Sequence, residues 1–104
     1  GKSLFSTDDS YYVKYDNVEG LAKSSPVSID GLKVGQVTEI KPMTQNNGHI
    51  YFVVKISVNN DFVFSKNSSV EIFEPGLMSG KEIRVNLAYN QPYAKRSFQT
   101  IYDE

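Results

Sequence analysis

The chain contains no cysteine and one histidine. The first absence excludes disulfide frameworks and thiolate metal sites. The second leaves little for acid–base chemistry. His49 stands beside Gly48 in a turn signal and reads as an exposed turn residue, not as a base or a metal ligand. A histidine-based triad would need an acid and a nucleophile around it, and no Gly-x-Ser-x-Gly elbow occurs. A phosphate-binding loop and a dinucleotide fingerprint are also missing. Asp8-Asp9 reads as a solvated pair near the N-terminus, and no other carboxylates are grouped as cation ligands. The chain is therefore expected not to be an enzyme and to need no cofactor or metal.

A charge excess is missing too. Eleven Lys and Arg stand against twelve Asp and Glu, a formal net charge of -1. Nucleic-acid binding normally leaves a basic footprint, so no nucleic-acid partner is expected. The same balance speaks against a polybasic module for membrane surfaces. The longest apolar run, Ile50-Tyr51-Phe52-Val53-Val54, falls far short of the roughly 20 residues of a membrane-spanning helix. The opening Gly1-Lys2-Ser3-Leu4-Phe5 has no signal-peptide core and no initiator Met. The chain thus reads as a fragment whose targeting or anchoring segments lie outside it.

What is present suits one domain. The 104 residues are 39% hydrophobic and 22% charged, enough for a small core and too apolar for disorder. Residues 1–10 read as a lead-in and 11–104 as a single domain. Tyr11–Tyr15 predicts a strand with Tyr11, Val13 and Tyr15 on one face. Asn17 to Leu21 turns the chain, pivoting at Gly20. Pro26 opens a short strand with Val27 and Ile29 inward and Ser28 and Asp30 outward. Asp30-Gly31 is a hairpin signal, and the return strand runs from Val34 to Lys41. Val34, Val37 and Ile40 do not share one parity, so Gly35 marks a bulge or a close backbone approach.

Pro42 to Gly48 reads as a loop. Ile50, Phe52, Val54, Ile56 and Val58 then alternate through the clearest strand, which must lie inside the sheet. Phe62-Val63-Phe64 is a short extended piece, and Ser65 to Ser68 turns. Strands follow at Ser69–Phe73, with Val70 and Ile72 inward, and Glu82–Leu87, with Ile83, Val85 and Leu87 inward. Asn90-Gln91-Pro92 turns again, and Ser97–Tyr102 reads as a last strand. No useful helical period exists. The fold class is all-β, a small six- to seven-stranded barrel. Most of the seven Tyr and six Phe belong to its walls and core, not to a stacking platform. Asn67-Ser68-Ser69 matches a glycosylation sequon and is taken as a surface turn.

One stretch does not fit a solvated turn. In Glu74-Pro75-Gly76-Leu77-Met78-Ser79-Gly80 the frame is turn chemistry, with Gly76 and Gly80 expected to supply left-handed conformations. Its tip nevertheless carries Leu77 and Met78. Two large apolar side chains there either cap the domain's own core or meet a partner or an apolar ligand.

Two motifs together resemble the MCE ("mammalian cell entry") or MlaD-like domain family. The first is Gly20-Leu21, Val27, then Gly31-Leu32-Lys33-Val34-Gly35-Gln36-Val37 closing on Ile40. The second is the loop Gly76-Leu77-Met78-Ser79-Gly80 ahead of Ile83. The likeness spans about Tyr11 to Leu87. The loop departs from the short Gly-Leu-Leu-Gly form by the added Ser79 and by Met78 in place of a second Leu.

The resemblance implies a seven-stranded barrel that often assembles into a homo-hexameric ring. Leu77 and Met78 would line an apolar pore that passes lipids, while Gly20, Gly31, Gly35, Gly76 and Gly80 would shape the motifs. It also implies an N-terminal membrane anchor outside this chain, with residues 1–10 as the stub of its linker. The expected location is the periplasmic side of the bacterial inner membrane, and the expected partners are an ABC-type permease and ATPase. The residues by themselves leave open a barrel module that binds carbohydrate or peptide, or a purely structural assembly domain.

Overall fold

A computed structural model describes residues 7–65 and 67–88. Six strands form one sheet: β1 (Asp8–Tyr15), β2 (Pro26–Ile29), β3 (Leu32–Thr44), β4 (Ile50–Asn59), β5 (Ser69–Phe73) and β6 (Glu82–Asn86). Their order is β1-β4-β3-β2-β6-β5. Every neighbouring pair is antiparallel except β2 and β6, which run parallel. The described residues contain no helix. The strongly alternating β4 lies inside the sheet, paired with β1 on one side and β3 on the other. Its Val54, Ile56 and Val58 are buried, as are Tyr11 and Val13 across from it. They share one core with Val27, Val37, Phe64, Ile83 and Val85.

The sheet curls into a half-barrel, and one bond shows how far. β1 and β5 are its opposite edges, yet the Tyr15 hydroxyl on β1 donates to the Val70 carbonyl on β5 at 2.9 Å, across 55 positions of sequence. Burial pushes the Tyr15 pKa above the usual tyrosine range, and the negative Glu71 pushes it further. The folded state thus favours the neutral phenol. Its contribution is complete below the unfolded value of about 10 and is lost as pH rises beyond it. Tyr15→Phe is expected to cost about 1 kcal/mol at neutral pH. It should also flatten the fall in thermal midpoint between about pH 9 and about pH 11 relative to the wild type. Parallel alkaline slopes in the two proteins would remove the edge-closing role.

Turn chemistry explains the connections. Asp30 (φ 49°) and Gly31 (φ 89°) are both left-handed and make the two-residue β2–β3 hairpin. Gly48 (φ 88°) turns β3 into β4, with the Gln45 amide donating to the His49 carbonyl. Gly35 is a close approach: an added Cβ would lie 1.9 Å from the Ser57 carbonyl oxygen.

Several boundaries differ from the sequence pattern. β1 starts at Asp8, so Asp8-Asp9 belongs to the strand and pairs with Asn59 and Val58 of the long β4, with Asp8 exposed and Asp9 half-buried. β3 runs through Pro42 to Thr44, where a loop was expected. Proline is tolerated there because β2 pairs no further along β3 than Gln36, leaving that side of Pro42 without a ladder to break. Ser28 stands opposite the exposed Lys33 and Arg84, on the face away from Val27 and Ile29 as expected, but is buried there. Ile50 is exposed because it sits at the sheet's end, and Val53 is buried on the outer face between Lys14 and Lys41, whose aliphatic stems can cover it. The expected turn at Asn90 to Pro92 and strand at Ser97–Tyr102 lie outside the described residues.

Candidate functional site

β5 and β6 form an antiparallel hairpin whose last pair is Phe73 and Glu82. The loop between them carries the apolar tip. The Ser79 amide donates to the Gly76 carbonyl at 3.3 Å, so Leu77 and Met78 take the two central places of a four-residue turn. Met78 is left-handed, with φ 65°. That conformation usually belongs to glycine, and a residue with a Cβ gives up roughly 1–2 kcal/mol to hold it. Gly76 and Gly80 were expected to supply the left-handed positions, but neither has a positive φ. The reversal falls at the turn's third position, which Met78 occupies.

Leu77 and Met78 are 93% and 98% exposed. They do not cap the core. Other large apolar residues with substantial exposure, such as Leu32, Ile50 and Val63, stand singly along the chain, whereas these two are adjacent at a projecting tip. An exposed apolar pair gains free energy on meeting any apolar surface or chain, about 0.8 kcal/mol for each methylene removed from water.

The foot of the loop meets the other motif. The Lys81 amide donates to the Gly20 carbonyl at 3.4 Å. Gly20 is left-handed (φ 86°), and a Cβ on it would lie 2.5 Å from Lys81 Cγ. Leu21, next in the chain, is buried and anchors this contact to the core. Gly20-Leu21 and the apolar loop are therefore one assembly. No local signal reports this contact, because the two segments lie far apart in sequence. At the base of the hairpin the Arg84 guanidinium lies 3.8 Å over the Phe73 ring and 3.7 Å from Glu71 Oε2. The ion pair is surface-exposed and adds little stability. The stacked Arg84 and Phe73 brace one side of the hairpin.

The remaining candidates disperse. Gly31 and Gly35 serve the β2–β3 hairpin and the β3–β4 spacing, and neither touches the tip loop. His49 Nε2 is 3.3 Å from Asp16 Oδ1 at the surface. Among the described residues, no three His, Cys, Asp or Glu side chains gather as a metal site. No helix among them is long and apolar enough to cross a membrane.

The family model described as "MlaD protein" matches residues 8–87. Among solved structures, a chain of the Acinetobacter MlaFEDB complex in the ATP-bound Vtrans1 conformation is similar, with a TM-score of 0.74. It is 13% identical, and the likeness covers 91% of this chain and 73% of that one. At such identity the likeness is one of fold. No curated protein sequence matches the chain.

Proposed function

The chain belongs to the MlaD protein family, and from that premise we propose that it is a lipid-transport domain. It works at the periplasmic side of the bacterial inner membrane, held there by an N-terminal anchor and coupled to an ABC-type permease and ATPase. Six copies surround an axis, and Leu77 and Met78 of each line an apolar passage for phospholipid or a similar lipid. One observation carries this reading: two adjacent apolar side chains, 93% and 98% exposed, stand at a hairpin tip in a turn that is costly to hold. The shared fold with a chain of an ATP-bound complex supports the transporter setting.

The chemistry of the tip suits lipid. Acyl chains need no directed hydrogen bond, and the unbranched thioether of Met78 adapts to varied apolar partners. A ring would shield from water what a single copy exposes. The test is lipid extraction from the intact protein purified from cells, followed by mass spectrometry, with Leu77→Asn and Met78→Asn combined as the variant. Bound lipid is expected to fall about ten-fold or more, the effect of losing about 1.4 kcal/mol per site. Thermal stability should not fall, because both side chains are exposed and Asn tolerates the left-handed backbone at 78. A wild type without lipid, or a variant with the same amount, overturns the proposal.

A further inference from the structure

The chain has two methionines, no cysteine and no tryptophan. With no thiol to react first, the two thioethers are the groups that a peroxide oxidises most readily. The structure treats them differently. Met43 lies on β3, half-buried and directly opposite Tyr51 of β4. Met78 stands at the tip of the β5–β6 loop and is 98% exposed. Oxidation requires that the peroxide reach the sulfur, and at Met78 nothing of the chain stands in the way.

The backbone holds Met78 in that position. It takes the third place of the turn closed by the Ser79 amide on the Gly76 carbonyl, with a left-handed φ of 65°. The foot of the loop is fixed by the Lys81 amide on the Gly20 carbonyl. Strain of this kind persists only where the surrounding structure imposes it, and it gathers at functional sites. Leu77 beside it is 93% exposed and just as apolar, but it has no atom that a peroxide attacks. The tip therefore pairs an inert apolar side chain with one whose polarity a single oxygen atom changes.

We propose that Met78 is a modification site, oxidised by hydrogen peroxide to the sulfoxide, and that its oxidation weakens lipid binding at the tip. The inference rests on the lipid reading above and adds a control to it. The thioether sulfur attacks one peroxide oxygen. The S–O bond forms as the O–O bond breaks, the sulfur gives up two electrons, and the other oxygen leaves as water with both protons. The sulfoxide oxygen is a hydrogen-bond acceptor, and acyl chains offer it no donor. Lipid that displaces its water is therefore held less well. The fold is unaffected, because this side chain packs against none of the core. Methionine sulfoxide reductases restore the thioether, the oxygen leaving as water while two thiols become a disulfide.

The test uses the intact protein, stripped of lipid in detergent and then treated with hydrogen peroxide. Peptide mass spectrometry follows the added oxygen at each methionine. Lipid uptake is measured by extraction after incubation with vesicles of phosphatidylethanolamine and phosphatidylglycerol, each protein against its own untreated sample. Met78 is expected to oxidise about five-fold faster than Met43 or more. The oxidised wild type should take up about three- to ten-fold less lipid at an unchanged thermal midpoint. Met43→Leu should lose uptake to peroxide as the wild type does, and Met78→Leu should lose none. Reductases for both sulfur epimers, with a dithiol, should restore the wild type. Oxidation of Met43 as fast as Met78, or a Met78→Leu variant that loses as much uptake as the wild type, overturns the proposal. So does a thermal midpoint that falls together with uptake. Uptake present before peroxide and unchanged after full conversion of Met78 overturns this inference alone. An untreated wild type that takes up no lipid overturns the lipid reading and this inference with it.

Discussion

Gly35→Ala is expected to lower the thermal midpoint by roughly 15–30 °C, the equivalent of about 4 kcal/mol for a domain of this size. The reason is spacing. The added methyl would sit 1.9 Å from the Ser57 carbonyl oxygen and 2.9 Å from both Ser57 C and Val58 Cα. All three are backbone atoms of β4, so no side chain can rotate away. Gly35 pairs with Val58 on that side and with Val27 of β2 on the other. Relief therefore requires β3 and β4 to part at a point where the sheet is hydrogen-bonded on both flanks. Overpacking of a core usually costs 1–3 kcal/mol, and collision with fixed backbone belongs above that range. Against a total stability of about 5–15 kcal/mol, that loss removes between about a quarter and about four-fifths of the folding margin. Thermal melts followed by circular dichroism decide it. A shift under about 5 °C, close to 1 kcal/mol, would mean the strands can relax apart. Gly31 in the same motif works differently. Nothing lies within 4 Å of its missing Cβ, and its value is the φ of 89° that the hairpin needs.

Phe64→Ala is expected to cost about 3–5 kcal/mol, seen as a lower denaturant midpoint at unchanged slope. Phe64 heads the fully buried side chains by size, at 1% exposure. Its ring meets Tyr11 of edge strand β1 with centroids 5.7 Å apart at an angle of 52°. It belongs to no long strand. It sits in the irregular link from β4 to β5, which the Phe62 amide ties to the Asn59 carbonyl and the Ser68 amide to the Ser65 carbonyl. The Ser68 hydroxyl in turn accepts the Ala88 amide beyond β6. Removing the ring opens a cavity at the junction between the β1 edge and the hairpin that carries Leu77 and Met78. Phe64→Leu, which keeps most of the volume, should recover more than half of the loss. Equal losses for Ala and Leu would show that the ring's shape matters more than its bulk.

These two substitutions and the tip variant act on different things. Gly35 and Phe64 hold the scaffold, so their replacement lowers stability. Leu77 and Met78 contribute almost nothing to the folded core and stand where a partner or ligand can be met. Of these three, only the tip variant is expected to lose activity with stability intact.

Much of the fold was legible because its signals are local. Period-two patterning named β4 and the inner faces of β1, β5 and β6, since alternate side chains of a strand must point to opposite faces. Asp30-Gly31 named its hairpin by the conformations that those residues tolerate. The broken parity of Val34, Val37 and Ile40 announced irregularity near Gly35. It did not separate the two effects present, a close approach at Gly35 and a bulge after Val37. Pro42 was misleading, because a proline forbids a strand only where its missing donor would be used, and that depends on a neighbour the local sequence does not name.

The candidate site divides in the same way. By itself the sequence determined that Leu77 and Met78 occupy a turn between two strands. Only the tertiary structure decided that both tip residues face outward, that the left-handed strain falls on Met78 and not on Gly76 or Gly80, and that Gly20 supports the foot of the loop through Lys81. It also decided that Tyr15 joins the two edges of the sheet. The physical reason is range. Periodicity and turn propensity act over a few residues, whereas curl, burial and side-chain convergence depend on contacts between segments distant in the chain.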